Sequence, residues 1–235
     1  MKRSILCLGA FALITVGAGR TYAGVLYSQP SDNIGFFYSQ NDTGGATTPA
    51  NGTTYDNFTL GTTSTVRNVS WVGGFLPTIV NNTITSFTLT FYSDNSGAPG
   101  TALTTNTISG NANQSFVGRD ALQDYVYSYS ANLPTPFVAT SGTHYWLSVV
   151  ANLNAGGTFQ WGWENSGGAS DPGDGVGYQS LLGAMPTPIT SDSAFTLSDV
   201  AAVPEPSTLV MASALFGIFG GVLTYKRRQR NALAA

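Results

Sequence analysis

A chain of 235 residues with one histidine, His144, and one cysteine, Cys7, has few ways to build a reactive centre. Nucleophilic hydrolysis needs a base beside a serine or threonine. His144 instead lies in an alternating segment with no G-x-S-x-G turn around it. Zinc held by His and Cys is excluded by the same shortage. Glycoside hydrolysis needs two carboxylates roughly 5–10 Å apart, and Glu164 is the only glutamate between Gly24 and Asp199. Asp120 and Asp124 flank "ALQ", and Asp171 and Asp174 sit in "SDPGDG"; both pairs read as turn or loop carboxylates. No catalytic residue is expected, and the chain does not read as an enzyme.

Two binding chemistries remain. A stacked sugar ring needs an apolar plate with polar neighbours, and "WGWEN" offers Trp161 and Trp163 on one strand face beside Glu164 and Asn165. The competing reading puts both indoles in the core, where large aromatics supply burial that a Thr- and Gly-rich body otherwise lacks. Calcium prefers oxygen-rich loops, so Asp94 in "SDNSG" and Asp171 with Asp174 are structural calcium candidates, although neither loop has EF-hand spacing. Otherwise no cofactor and no metal is expected.

These residues must be positioned by strands. In "TSFTLTFYSD", Phe87, Leu89 and Phe91 alternate with Ser86, Thr88, Thr90 and Tyr92; in "THYWLSVV", Tyr145, Leu147 and Val149 alternate with His144, Trp146, Ser148 and Val150. Similar runs occur at 55–60, 65–72, 125–129, 159–163 and 194–197, and no long apolar pattern has a helical period. Short strands with polar, Gly-rich breaks predict an all-β body, an antiparallel β-sandwich of jelly-roll-like form.

Charge is unevenly placed. Between Gly24 and Asp199 there are two basic residues, Arg67 and Arg119, against eleven acidic ones, a formal charge of −9. Such a body repels phosphate backbones, which excludes nucleic acid as a partner. The other seven basic residues lie near the ends: Lys2, Arg3, Arg20, Lys226, Arg227, Arg228 and Arg230.

Those ends read as targeting segments. Lys2 and Arg3, a 14-residue apolar stretch from Ile5 to Ala18, and Thr21-Tyr22-Ala23 form a cleavable secretory signal over 1–23. Cleavage removes Cys7, so the mature chain has no disulfide framework. From Leu209 to Tyr225 there are 17 uncharged residues. As a helix they extend about 25 Å, just enough to cross a bilayer. Lys226, Arg227, Arg228 and Arg230 follow as a stop-transfer cluster that belongs in the cytoplasm and leaves the body outside. Ahead of the helix, Pro204 and Pro206 hold Val203–Pro206 extended and accessible.

The order "VPEPST", apolar helix, Arg-rich end resembles the PEP-CTERM sorting signal of Gram-negative bacteria. The resemblance covers roughly the last 30 residues. It implies that Val203, Pro204, Glu205 and Pro206 are recognised by an exosortase, a membrane-embedded processing enzyme. It further implies a route from the inner membrane to the envelope, surface or matrix, often in cells that secrete exopolysaccharide. In the body, "FYSDNSGAPG" and "THYWLSV" look similar to exported β-domains found in front of interchangeable surface anchors. The expected organisation is a signal peptide (1–23), a β-sandwich ectodomain (24–199), a linker bearing the PEP motif (200–207), a transmembrane helix (208–225) and a basic tail (226–235). The leading functional expectation is an exported, non-enzymatic surface or matrix protein. A carbohydrate-binding module is the alternative, and a hydrolase the remaining one.

Overall fold

The computed structural model describes residues 24–44, 51–76, 84–156, 160–167 and 173–200. The expected signal peptide, PEP motif, membrane helix and basic tail lie outside them, as does Asp171. The chain divides into two units, Met1–Val200 and Ala201–Ala235.

Every regular element among the described residues is a strand, and no helix there is long and apolar enough to cross a membrane. In chain order they are β1 (Val25–Gln29), β2 (Ser31–Tyr38), β3 (Gln40–Asp42), β4 (Gly52–Thr59), β5 (Ser64–Leu76), β6 (Ile84–Asp94), β7 (Pro99–Ser109) and β8 (Ser115–Arg119). Then follow β9 (Tyr125–Ala139), β10 (His144–Leu153), β11 (Gln160–Ser166), β12 (Gly177–Leu181), β13 (Thr187–Ile189), β14 (Asp192–Ser193) and β15 (Phe195–Ser198).

They form two sheets. The first runs β1-β15-β5-β11-β14, with β2 also on β11, β9 on β5 and β8 on β9; the second runs β13-β12-β4-β3-β10-β6-β7, with β4 also on β10. The expectation of wholly antiparallel pairing needs one correction: β3 runs parallel to β10, with Ala151 opposite Gln40. The cause is a corner at Ser39. Its N–H donates to Trp161 O in the first sheet, while its carbonyl accepts from Ala151 N in the second. Its hydroxyl donates to Val149 O at 2.5 Å and accepts from Thr54 N at 3.1 Å. The chain thus leaves β2 in one layer and enters β3 in the other. There β3 inserts where β4 and β10 separate. Because β3 is antiparallel to β4, and β4 to β10, it must be parallel to β10.

The two inner faces meet in an aromatic core. Phe87, Leu89 and Phe91 of β6 are fully buried, as the alternation requires. The Phe87 ring lies 4.9 Å from Trp71, 5.1 Å from Tyr129 and 5.3 Å from Trp161, all on the opposite sheet. Phe91 stacks on Phe137 at 4.4 Å. Those contacts join the layers face to face. Within the first sheet, Gly73 of β5 makes room for the Trp161 ring of neighbouring β11, which a Cβ would meet at 2.3 Å. The β6–β7 hairpin closes through Ser96 and Gly97, both at positive φ (55° and 83°), with Asn95 N donating to Ala98 O. Positive φ at both central positions matches the twist of adjacent strands.

Candidate functional site

Trp161 and Trp163 point inward from β11 and have no exposed surface. The Trp161 indole donates to Tyr129 Oη at 3.2 Å and the Trp163 indole to Ala194 O at 2.9 Å. A ring with no accessible face cannot stack on a sugar, so the expected saccharide platform at Trp161 and Trp163 is corrected to a core role. Burial is also what raises the Tyr129 hydroxyl well above its ordinary range. Nor is the opposite face of β11 bare at Gly162, because the Phe36 ring lies across it at 2.0 Å from a would-be Cβ.

The aromatic face open to a ligand lies elsewhere, on the outer side of the second sheet. Register places Tyr178 of β12 opposite Tyr55 of β4, and Tyr55 opposite Ser148 of β10. One step along, Asn57, Trp146 and Tyr92 form a second row across β4, β10 and β6. Tyr55 and Tyr92 meet edge to face at 5.4 Å, as do Tyr178 and Trp146 at 5.2 Å. Trp146 is buried as the floor, while the three tyrosines are half-buried around it. Alternation hinted at this, since Trp146 sits opposite the core-facing Tyr145, Leu147 and Val149. The missing signal was Tyr178, which only strand pairing brings there.

Polar groups flank the rings. Asp94 accepts from the Trp146 indole at 2.9 Å, from the Gly97 amide, and contacts His144 Nδ1 at 3.1 Å. Burial works to raise the Asp94 carboxyl, but the donors from Trp146, Gly97 and His144 outweigh it and hold the carboxyl below its usual range. Its oxygens are therefore engaged by protein donors. Asp174, the other described calcium candidate, accepts at Oδ1 from Asn57 Nδ2 and Val176 N, both at 3.0 Å. The hydrogen-bond partner that the structure shows for the His144 ring is Asp94.

Beside this face, Tyr55 forms one wall of an open cleft of about 620 Å³. Asn41, Thr53, Val150, Ser180 and Pro186 contribute to the rest. Hydroxyls, amides and one half-buried tyrosine ring suit a neutral polyhydroxylated ligand better than an ionic one.

Glu164 lies on the outer face of the first sheet, opposite Phe36 of β2, and is completely buried. Neither of its carboxylate oxygens has a hydrogen-bond partner. Burial first, then the charges of Asp120 and Asp32, push its carboxyl up to about 8. The Ser31 hydroxyl acts in the opposite direction without completing a hydrogen bond to either oxygen. Asp120 and Asp124 are buried too, in the turn between β8 and β9, where Asp120 Oδ1 accepts from Asp124 N at 2.8 Å. Asp120 Oδ2 has no partner. That turn docks on β2 through Ala121 N donating to Asn33 O. Asn165, the fourth residue of the sequence-predicted sugar site, pairs with Ser193 of β14, away from the open cleft.

Two further buried carboxylates, Asp56 and Asp192, are tied in place. Asp56 accepts from Asn57 N and Ser193 N, and Asp192 accepts from Gly175 N and Val176 N. They fasten β14 and residues 173–176 to β4. Burial, reinforced by Asp192 and Asp174, raises the Asp56 carboxyl well above its ordinary range.

No curated protein and no solved structure matches the chain. A family profile does, over residues 27–197, and its bounds coincide with the two-sheet body from β1 to β15. The chain belongs to the family of the domain of unknown function DUF7901.

Proposed function

We propose that this is an exported, non-enzymatic surface or matrix protein of a Gram-negative bacterium. In this reading a jelly-roll-like sandwich is delivered by its signal peptide and held at the inner membrane by its C-terminal helix. An exosortase then processes it at the PEP-CTERM signal. The observation that carries the proposal is the order of three elements: Val203-Pro204-Glu205-Pro206, 17 uncharged residues from Leu209, and Lys226, Arg227, Arg228 and Arg230. Anchoring alone does not need the proline-stiffened segment, and the positive cluster sets the orientation that a secretory signal also demands. The acidic body, free of cysteine, fits deployment in an envelope or exopolysaccharide matrix. Replacing Pro204, Glu205 and Pro206 by alanine tests it: the full-length form accumulates in the inner membrane fraction. Unchanged maturation refutes the processing step.

The cleft beside Tyr55 favours a second reading, carbohydrate binding by the body. A glycan array probed with the mature protein tests this, with Tyr55→Ala as the control. Binding that is unaffected by Tyr55→Ala removes the cleft from consideration.

A further inference from the structure

A strand at the edge of a sheet presents a row of unpaired N–H and C=O groups, and this chain blunts most of its edges. β8 has five residues, a break in pairing after Phe116 and the charge of Arg119. Beyond β8, the free part of β9 carries Pro134 and Pro136, which have no N–H to offer. β1 has five residues and a break in pairing after Val25, and Pro30 follows it. β13 has three residues with Pro188 at their centre, and β14 has two. The β8–β9 turn covers β2, where Ala121 N donates to Asn33 O.

β7 is the exception. It ends the second sheet, pairs with β6 alone among the described residues, and runs for 11 residues from Pro99 to Ser109 without a charge. Its one proline stands at the first position. Register shifts are confined to the part before Thr104, and from there to Ser109 the strand follows Phe91 to Ser86 unbroken. Gly110 N donates to Thr85 O at 2.9 Å, and continuing that alternation turns the N–H and C=O groups of Thr105, Thr107 and Ser109 away from β6. All three residues are exposed. The strand is also pinned from its inner face. Buried Asn106 donates from Nδ2 to Thr135 O at 3.1 Å and accepts at Oδ1 from Thr135 N at 2.7 Å. The open edge is therefore held in place before any partner arrives.

The geometry points to a second copy of this chain as the occupant, added antiparallel so that β7 pairs with β7 across a two-fold axis. With the axis at Asn106, Thr105 of each copy faces Thr107 of the other. Threonine opposite threonine is the pairing that β7 already makes on its other side. There Thr105 lies opposite Thr90 with the hydroxyls 3.2 Å apart, and Thr107 lies opposite Thr88. Charge selects the same occupant. A body of formal charge −9 repels its own copies, and β7 is a stretch where none of that charge sits on the contact. A charged peptide finds no counter-charge on this strand. The self-pair is isologous and closes as a dimer, in which the two second sheets become one. It rests on the two-sheet body and does not depend on export or on sugar binding.

One strand pair is a small interface, under about 1,200 Å², which sets a dissociation constant on the order of 30 µM. Sedimentation equilibrium of the full chain in density-matched detergent tests the inference: at about 3 µM the protein is mostly monomer and at about 300 µM mostly dimer. Over the same range, amide exchange at Thr105 and Thr107 slows about fivefold. Thr107→Lys places a charge on the edge and leaves the protein monomeric at about 300 µM. Val117→Lys adds the same charge at an exposed position of β8 and dimerises as the wild type does. Both variants reduce the net negative charge, so a loss confined to Thr107→Lys does not come from general repulsion. Monomer at every concentration overturns the inference. So does a dimer that survives Thr107→Lys, one lost equally with Val117→Lys, or association without protection at Thr105 and Thr107.

Discussion

Glu164→Gln is the sharpest perturbation because the account predicts that it stabilises the protein at mildly alkaline pH. Glu164 is buried without a hydrogen-bond donor, and its carboxyl is raised from an ordinary 4.5 to about 8 by burial and by Asp120 and Asp32. Its folded value lies above its unfolded one. The protonated form is therefore favoured in the folded state, and this stability is fully present below the ordinary value. It is lost as pH rises from there through about 8. The interval sets a ceiling of about 5 kcal/mol. Water reaching the turn and relaxation of its neighbours reduce that to about 2 kcal/mol, which is 4–8 °C in melting temperature for a domain of roughly this size. Calorimetry from acidic to mildly alkaline pH reads it. Wild type and variant coincide at acidic pH and separate by about that amount above pH ~8, with the variant more stable. A variant less stable than wild type at alkaline pH would show that the ionised carboxylate has partners, and the argument from unpaired oxygens would fail.

Other consequences follow from the packing. Phe87→Ala removes the ring that joins Trp71, Tyr129 and Trp161 across the sheets, and should cost about 4 kcal/mol in urea unfolding. Phe116→Ala, at an exposed position of β8, should cost less than about 0.5 kcal/mol. Gly162→Ala drives a methyl group into Phe36 and should cost about 1–3 kcal/mol, and combining it with Phe36→Ala should recover part of that loss. Asp192→Ala should release residues 173–176, read as faster amide exchange at Gly175 and Val176, whose N–H groups it binds.

Strands with one buried face were legible because alternation records burial. Phe87, Leu89 and Phe91, and Tyr145, Leu147 and Val149, lie inside as their spacing requires. At the edges the signal disappears: β7 terminates the second sheet and most of its residues are half or fully exposed, so no apolar period marks it. Nor does spacing reveal which side of a strand faces the other layer. Trp161 and Trp163 could be read as a pair sharing one face, but only Phe87 of the facing sheet, with Tyr129 packed beside Trp161 in their own, makes that face the core. The carboxylate cluster was hidden for a different reason. Asp32, Asp120 and Glu164 belong to segments far apart in the chain, and it takes a docked turn to bring them together. The single parallel pair was equally invisible, since it follows from a corner at Ser39 with no turn motif of its own.

Sorting of the chain is decided most directly by mass spectrometry of both ends of the protein recovered from its native host. The account predicts a mature chain beginning at Gly24 and ending at or beside Val203–Pro206, without the apolar and basic tail. Recovery of a polypeptide that retains Met1 at one end and runs through Lys226 to Ala235 at the other would contradict it.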